Sequence, residues 1–349
     1  MIETEHPEII LEEKEELYEH FRIIVDQGQT PLRIDKYLFT HIANVSRNKI
    51  QNATKTGSIL VNDLAVKSNY KVRPNDTISV VLPNPPRDTQ IYPENIPIEI
   101  VYEDDEVIIV NKHAGMVVHP AYSNYTGTLV NAILFHLGAD TIQDDRESRA
   151  GLVHRIDKNT SGLLVIAKTD YALSFLAKQF FDHSIDRKYF ALVWGNMEND
   201  SGTIKANVAR DPRDRKKMKA FKETNIGKEA ITHYSVLERF GYVTLIECVL
   251  ETGRTHQIRV HMSSVGHPIF NDETYGGSEI VSGPSFTKYK QFINNCFEIL
   301  PRQALHAKEL GFIHPGTKKK VFFNSELPVD IQTVLSKWRK YSNAISFEE

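Results

Sequence analysis

The run His154-Arg155-Ile156-Asp157-Lys158-Asn159-Thr160-Ser161-Gly162, leading directly into Leu163-Leu164-Val165-Ile166-Ala167-Lys168, constrains this chain more than any other segment. Asp157, Asn159, Ser161 and Gly162 offer side-chain bonds to the backbone and a permissive φ, and the apolar stretch behind them is too short for a helix. The pattern therefore predicts a polar turn feeding a strand. A carboxylate in such a turn is fixed by the sheet yet open to a substrate. Taken alone, an aspartate placed like Asp157 between Arg155 and Lys158 is more often a turn-capping residue with a surface ion pair than a catalytic group.

A chain of 349 residues with 41% apolar content is long enough for two domains. Its two cysteines, Cys248 and Cys296, lie far apart without zinc-ligand spacing, so neither a disulfide framework nor a structural metal is expected, and the usage fits a reducing cytoplasm. The acidic beginning (Glu3, Glu5, Glu8) is unlike a signal region, and no apolar run approaches the roughly 18 residues that span a bilayer. Export and membrane insertion are both disfavoured. The formal net charge of −3 conceals an asymmetry, with acid at Glu12, Glu13, Glu15, Glu16 and Glu19 and base at Arg210, Arg213, Arg215, Lys216, Lys217, Lys219 and Lys222. Such a basic run is ordinary solvated surface unless something places it beside a polyanion.

In chain order, residues 1–29 read as an acidic extension of low order, with a short helix around Glu12 to Phe21. A small domain occupies 30–82. One helix starts near Pro31, a second runs from an N-capping Ser46 to Lys55, and Ile59–Asp63 and Asp76–Val81 are short strands. Arg33, Lys36, Arg47 and Lys49 form one basic face there, suited to backbone phosphates, and Arg47, Lys49 and Gln51 point to solvent. Proline marks 83–97 as a linker, and the rest, 98–345, forms the large domain. Within it Glu106–Lys112 is a buried strand, Thr128–His136 a helix, and Tyr189–Trp194, His233–Phe240 and Tyr242–Leu250 are strands, the last two a hairpin around Gly241. From Thr255 a helix places Ile258, Met262 and Val265 on one face, with Gly266 as its stop.

Two further segments join the first, Arg187-Lys188-Tyr189-Phe190-Ala191-Leu192-Val193 and Thr252-Gly253-Arg254-Thr255-His256-Gln257-Ile258-Arg259-Val260-His261-Met262. HRIDKNTSGLLVIAK, RKYFALVWG and TGRTHQIRVHM, in that order, closely resemble the pseudouridine synthases of the RluA/RluD family, over a span from about Ile91 to about Trp338 that includes Gly266–Ile269 and Leu305–Ala307. The segment 30–82 is similar to the small RNA-binding module named after ribosomal protein S-four. Ile156 stands where the family often has leucine, a volume-conserving change.

The resemblance implies an α+β protein, with a mixed, mostly antiparallel central-sheet catalytic domain preceded by a small α/β RNA-binding domain. It implies isomerisation of specific uridines, with large-subunit (23S) ribosomal RNA as the favoured substrate and a flipped base. Asp157 takes the catalytic position, Arg259 its ion-pair partner, Tyr189 the face against the base and Arg155 the space left by the extruded nucleotide. His154, Arg254, His256 and Ile258 complete the substrate-contacting set, and Arg213, Arg215, Lys216 and Lys217 become RNA-binding candidates.

The reaction needs no cofactor and no metal, and His154, His256 and His261 lack metal-ligand spacing. The expected partner is structured RNA or the large ribosomal subunit, and the expected state a cytoplasmic monomer. The alternatives are a non-catalytic RNA-binding assembly factor and a synthase acting on transfer RNA. A serine hydrolase is excluded by the absence of a G-x-S-x-G elbow around Ser161.

Overall fold

A computed structural model describes residues 18–42, 45–83, 90–121, 124–139, 142–143, 151–223 and 225–345. The chain divides into two compact units, Met1–Thr89 and Gln90–Glu349.

The first unit contains β1 (Tyr18–Ile24), α1 (Ile34–His41), α2 (Arg47–Lys55), β2 (Ile59–Val61), β3 (Leu64–Ala65) and β4 (Thr77–Leu82). The strands pair in the order β1-β4-β2-β3, antiparallel throughout. Asn62 and Asp63, both at positive φ, form the two-residue turn joining β2 to β3, the backbone that a tight hairpin requires. Ser46 caps α2 by accepting from the Lys49 backbone at 3.3 Å. Ile34, Tyr37 and Leu38 of α1 and Ile50 of α2 pack on Ile59, Val61 and Ile78 of the sheet.

Two expectations change here. Tyr18–Phe21 lie in a strand, because Phe21 and Ile23 pack onto the core with a period of two that no helix would give, while the rest of the expected helix lies outside the described residues. The expected basic face is also rearranged. Arg33 and Arg47 both turn onto Asp35, with contacts of 2.9–3.1 Å, and Gln51 donates to the same carboxylate at 2.7 Å. Lys36 and Lys49 remain exposed.

The second unit opens with β5 (Gln90–Ile91), β6 (Glu99–Glu103), β7 (Val107–Lys112), α3 (Leu129–His136), β8 (Ile142–Gln143) and β9 (Ser161–Ala167). It continues with α4 (Asp170–Phe181), β10 (Asp186–Trp194), β11 (Ser201–Lys205), β12 (Asn207–Arg210), β13 (Met218–Phe221), β14 (Ile231–Arg239) and β15 (Val243–Leu250). α5 (Gln257–Ser264), α6 (Thr287–Ile299), β16 (Leu305–Ile313), β17 (Lys320–Asn324) and α7 (Val329–Ile345) complete it. Part of the expected linker belongs to this unit, because β5 pairs with β8 and the Glu94 backbone donates to Asn131.

The central sheet runs β11-β14-β15-β10-β16-β9-β7-β6, with β17 on β16, and only the β9–β16 pair is parallel. β7 and β9 are apolar along their length because the sheet is covered on both faces. Ile108, Val110, Leu164 and Ile166 enter one core while Val107, Ile109, Leu163 and Val165 enter another. Gly162 has φ +118°, and a Cβ there would meet the Ala307 carbonyl oxygen at 2.2 Å, so glycine is required where β9 meets β16. Among the described residues no helix is long and apolar enough to cross a membrane.

Candidate active site

The three motifs converge because the strands that carry them are neighbours. Asp157 opens the turn before β9, Tyr189 lies early in β10, and Arg259 sits in α5 just after β15. The registers Gly162↔Ala307 and Ala307↔Tyr189 align the start of β9 with Tyr189, and Tyr189 faces Cys248 near the end of β15.

The Asp157 turn is held from below. The Thr160 backbone N–H donates to the Asp157 carbonyl at 3.1 Å. Lys112, buried at the end of β7, donates to the carbonyls of His113, Met116 and Lys158 at 2.8, 2.9 and 3.1 Å. Burial pushes its ammonium down to about 7, helped by Arg302 and opposed by Asp157. Arg302 donates to the Asn159 carbonyl at 3.1 Å while pairing with Asp330 of α7 at 2.8 Å. Both long cations thus fix the backbone that immediately follows the carboxylate.

Asp157 itself is 19% exposed, and its Oδ2 accepts from Arg259 Nη1 at 3.1 Å. Arg259 does not depend on Asp157 for its position. Its Nε and Nη2 form a fork onto Asp272 at 2.7 and 2.8 Å, and Asp272 is itself held by the Thr274 and Tyr275 backbone N–H groups. Burial works against the Arg259 charge, but the Asp272 and Asp157 carboxylates outweigh it and hold the guanidinium above its usual value. The Tyr275 ring lies 4.9 Å from that guanidinium. Tyr275 Oη accepts from the Met218 backbone, which ties the β12–β13 hairpin to the site.

His256, in left-handed backbone at φ 56°, bonds Tyr275 Oη through Nδ1 at 2.7 Å and brings Nε2 to 3.8 Å from Asp157 Oδ1. Burial pushes its pKa down, against the opposing pull of Asp157. Oδ2 is thus taken by Arg259, while among the described residues Oδ1 receives no hydrogen bond.

Asp157 lies in the wall between two cavities. The smaller, about 260 Å³, is lined by His154, Arg187, Tyr189, Arg254, Ile258 and Arg259 among others; the larger, about 590 Å³, extends over Asn159, Asn271 and Arg302. Arg155, exposed, and His256 border both. Tyr189 is buried and its phenol is pushed up by burial, with Arg187 opposing and Asp157 adding.

His154, in the wall of the small cavity, also braces the Asp157 turn. Its Nε2 accepts from the Val165 backbone at 3.0 Å and its ring stacks on Phe180 at 4.6 Å, so it is a neutral brace between turn and strand. Burial, reinforced by Arg187, pushes it down to about 3. Arg254 donates to the Glu229 carbonyl at 2.9 Å. Arg213, Arg215 and Lys216 are exposed between β12 and β13, and Lys217 is half-buried near Asp214 at 3.9 Å. The α5 face also differs: Ile258 and Met262 are buried but Val265 is 44% exposed, since the helix ends at Ser264.

Sequence reasoning missed Asp272, Tyr275, Arg187, Lys112 and Arg302. Asp272 and Tyr275 come shortly after the Gly266–Ile269 segment, but no spacing reveals that this carboxylate reaches back to Arg259.

The sequence profile described as RNA pseudouridylate synthase matches residues 106–264. The chain is 48% identical over 322 residues to an "uncharacterized RNA pseudouridine synthase" of Chlorobaculum parvum, covering 92% of this chain and 98% of that protein. It is 44% identical to the "ribosomal large subunit pseudouridine synthase D" of Zymomonas mobilis, covering 86% and 92% of the two chains. Among solved structures, human RNA pseudouridylate synthase domain containing 1 aligns with a TM-score of 0.51 at 22% identity, over 70% of this chain and 96% of that one, a likeness of fold.

Proposed function

This chain belongs to the RNA pseudouridine synthase family, and from that premise we propose that it converts specific uridines of large-subunit (23S) ribosomal RNA to pseudouridine, with Asp157 as the nucleophile acting on an extruded base. The observation that carries this reading is the Asp157 carboxylate, ion-paired to an Arg259 that Asp272 already holds, in the wall of a cavity it shares with Tyr189.

The reaction breaks the bond from ribose C1′ to N1, turns the base and joins C1′ to C5. One proton leaves C5, N1 gains one, and no electrons are exchanged with a partner, so the chemistry asks for no cofactor. It asks for an ionised, aimed carboxylate. Arg259 favours the charged form and fixes its direction. Oδ1, beside His256 Nε2, attacks C1′ or C6, or takes the C2′ proton. Tyr189 packs on the uracil, and Arg155, exposed at the mouth of both cavities, fills the gap in the RNA stack at an extrusion cost of a few kcal/mol that binding offsets. The basic β12–β13 loop, tied to the site through Tyr275, and the exposed lysines of the first unit hold phosphates. A ribosomal substrate entails a cytoplasmic role in ribosome maturation. Relatives named for the large ribosomal subunit support that choice over transfer RNA.

The test is pseudouridine mapping by carbodiimide labelling and primer extension on ribosomal RNA from cells with and without the gene. Stops that vanish without it and return with wild type but not Asp157→Asn are expected. Unchanged ribosomal stops would sink the substrate reading, and restoration by Asp157→Asn would remove Asp157 from the mechanism.

A further inference from the structure

The small cavity contains a charge that the proposed chemistry leaves unused. Arg187 lies two residues before Tyr189 on β10, so the two side chains share a face of the sheet, and both line the cavity with Asp157. Arg187 is 7% exposed, and among the described residues its Nε lacks a hydrogen-bond partner and no carboxylate pairs with it. Its guanidinium lies 5.6 Å from the Phe180 ring. The other buried arginines are treated differently: Arg259 has two carboxylates, and Arg302 has Asp330 and backbone carbonyls. Burial lowers the pKa of Arg187; its charge adds to the burial that pushes His154 down and opposes the burial that pushes Tyr189 up, so it lies close to both. A buried, unpaired cation is costly unless a partner arrives from outside.

We propose that Arg187 donates to the carbonyl oxygens of the uracil that enters this cavity, and stabilises the negative charge the base acquires during the reaction. The proposal rests on the pseudouridine synthase reading and adds a catalytic residue to it. A guanidinium offers donors only, which suits O2 and O4 of uracil and rejects the amino group that cytosine carries in place of O4. The cavity, just below the roughly 300 Å³ at which ligand pockets begin, suits a base entering end-on, whereas the phosphodiester must stay with the chain at the mouth, where Arg155 is exposed.

The base becomes negative on each route open to Asp157. If the carboxylate displaces the base at C1′, a C1′–O bond forms and the N1–C1′ electron pair leaves on uracil, spread over N1, O2 and O4. If it removes the C2′ proton, the same pair leaves as the glycal forms. If it adds to C6, the C5–C6 π pair moves onto C5 and O4. On the C6 route the C1′–N1 bond then breaks as C1′ passes to C5 and the C6–O bond is released, and on the glycal route C2′ takes back its proton. On every route C1′ bonds to C5, the C5 proton departs, N1 is protonated and the carboxylate is restored. Turning uracil about its N3–C6 axis exchanges O2 with O4, so a fixed donor keeps its contact before and after rotation.

The experiment is single-turnover tritium release from unmodified transcripts of large-subunit ribosomal RNA and, separately, transfer RNA, each made with [5-³H]uridine. It is run with full-length wild type, Arg187→Met, Arg187→Lys and Gly253→Ala, alongside filter binding and thermal melting. Arg187→Met should lower release at saturating RNA by about 10²–10³-fold, the loss typical of one donor aimed at developing charge. Its RNA affinity should be unchanged and its melting temperature equal to or above wild type, because an unpaired buried charge has gone. Arg187→Lys should fall between. In Gly253→Ala a new methyl would lie 2.6 Å from Arg187 Nη1, displacing the guanidinium without removing it, and should slow release by about ten- to a hundredfold without lowering the melting temperature.

Unaltered release in Arg187→Met would overturn the proposal. So would a defect confined to RNA affinity with a shallower salt dependence, which marks a phosphate contact. A melting temperature that falls in step with the rate in all three variants would mean a structural arginine. Wild-type release from transfer RNA alone would displace the ribosomal reading and leave the Arg187 comparison standing on that RNA.

Discussion

The tetrapeptide Arg-Ile-Asp-Lys occurs twice, at 33–36 and at 155–158, and the two copies do opposite things. In the first unit it opens a helix. Asp35 is fully buried and takes hydrogen bonds from Arg33, Arg47 and Gln51. Burial pushes its carboxyl up, but those donors prevail and hold it well below the usual carboxylate range. In the second unit the same residues form a turn. Asp157 stays 19% exposed, Arg155 has no ion-pair partner among the described residues, and the arginine on Asp157 comes from 102 positions away. The residues on the C-terminal side decide the outcome, Tyr-Leu-Phe-Thr continuing a helix and Asn-Thr-Ser-Gly breaking into a strand. An ion-paired aspartate is structural when its pairs close it off, and available for chemistry when its partner is held by something else.

That contrast breaks most visibly at Asp272, which does for Arg259 what Gln51 and the second arginine do for Asp35. Asp272→Ala should cost about 3–5 kcal/mol in urea unfolding, because Arg259 is nearly buried, and should also abolish most single-turnover activity. Retention of full rate in the folded fraction would show that Asp157 alone aims Arg259. Asp35→Asn should cost less, about 1–3 kcal/mol, because Arg33 and Arg47 can each turn to water from 42% exposure, and should leave the rate of folded protein unaltered.

The two regions are unevenly legible in the sequence. Strands β7, β9, β10, β14 and β15, helices α2 and α3, and the meeting of Asp157 with Arg259 are legible because each rests on local periodicity, capping or a long motif. β1 is hidden because an acidic run masks the alternation of Phe21 and Ile23. Asp272 and Arg302 are hidden because their charged partners are distant in sequence, and Lys112 because nothing local marks a buried cation that holds carbonyls. The basic face expected around Arg33 is rearranged in a way that a helical wheel cannot show, an arginine turning onto Asp35 two residues on.

A smaller effect sharpens the comparison through pH. His306, bonded to Ser161 below the Asp157 turn and to Ser325, is pushed down to about 4 by burial, with Arg302 and Lys308 adding. The folded protein therefore holds this imidazole neutral where the unfolded chain, with a pKa near 6.5, binds a proton. Unfolding takes up that proton, so stability is full above about 6.5 and falls as pH drops toward 4. The urea midpoint should fall across that window, and His306→Gln should flatten the dependence. A slope equal to wild type would assign it to other histidines. Smallest of all, Lys216→Ala should weaken RNA binding a few-fold and reduce the salt slope by about one, with no change in single-turnover rate.

The most direct test sets the two aspartates side by side. Single-turnover pseudouridine formation and thermal melting are measured on Asp35→Asn and Asp157→Asn with the same RNA, rates being corrected for the folded fraction. Asp157→Asn should melt close to wild type and form no product, whereas Asp35→Asn should melt lower and react at the wild-type rate. Product from Asp157→Asn, or a rate lost at Asp35 without loss of fold, would contradict the assignment of the chemistry to Asp157.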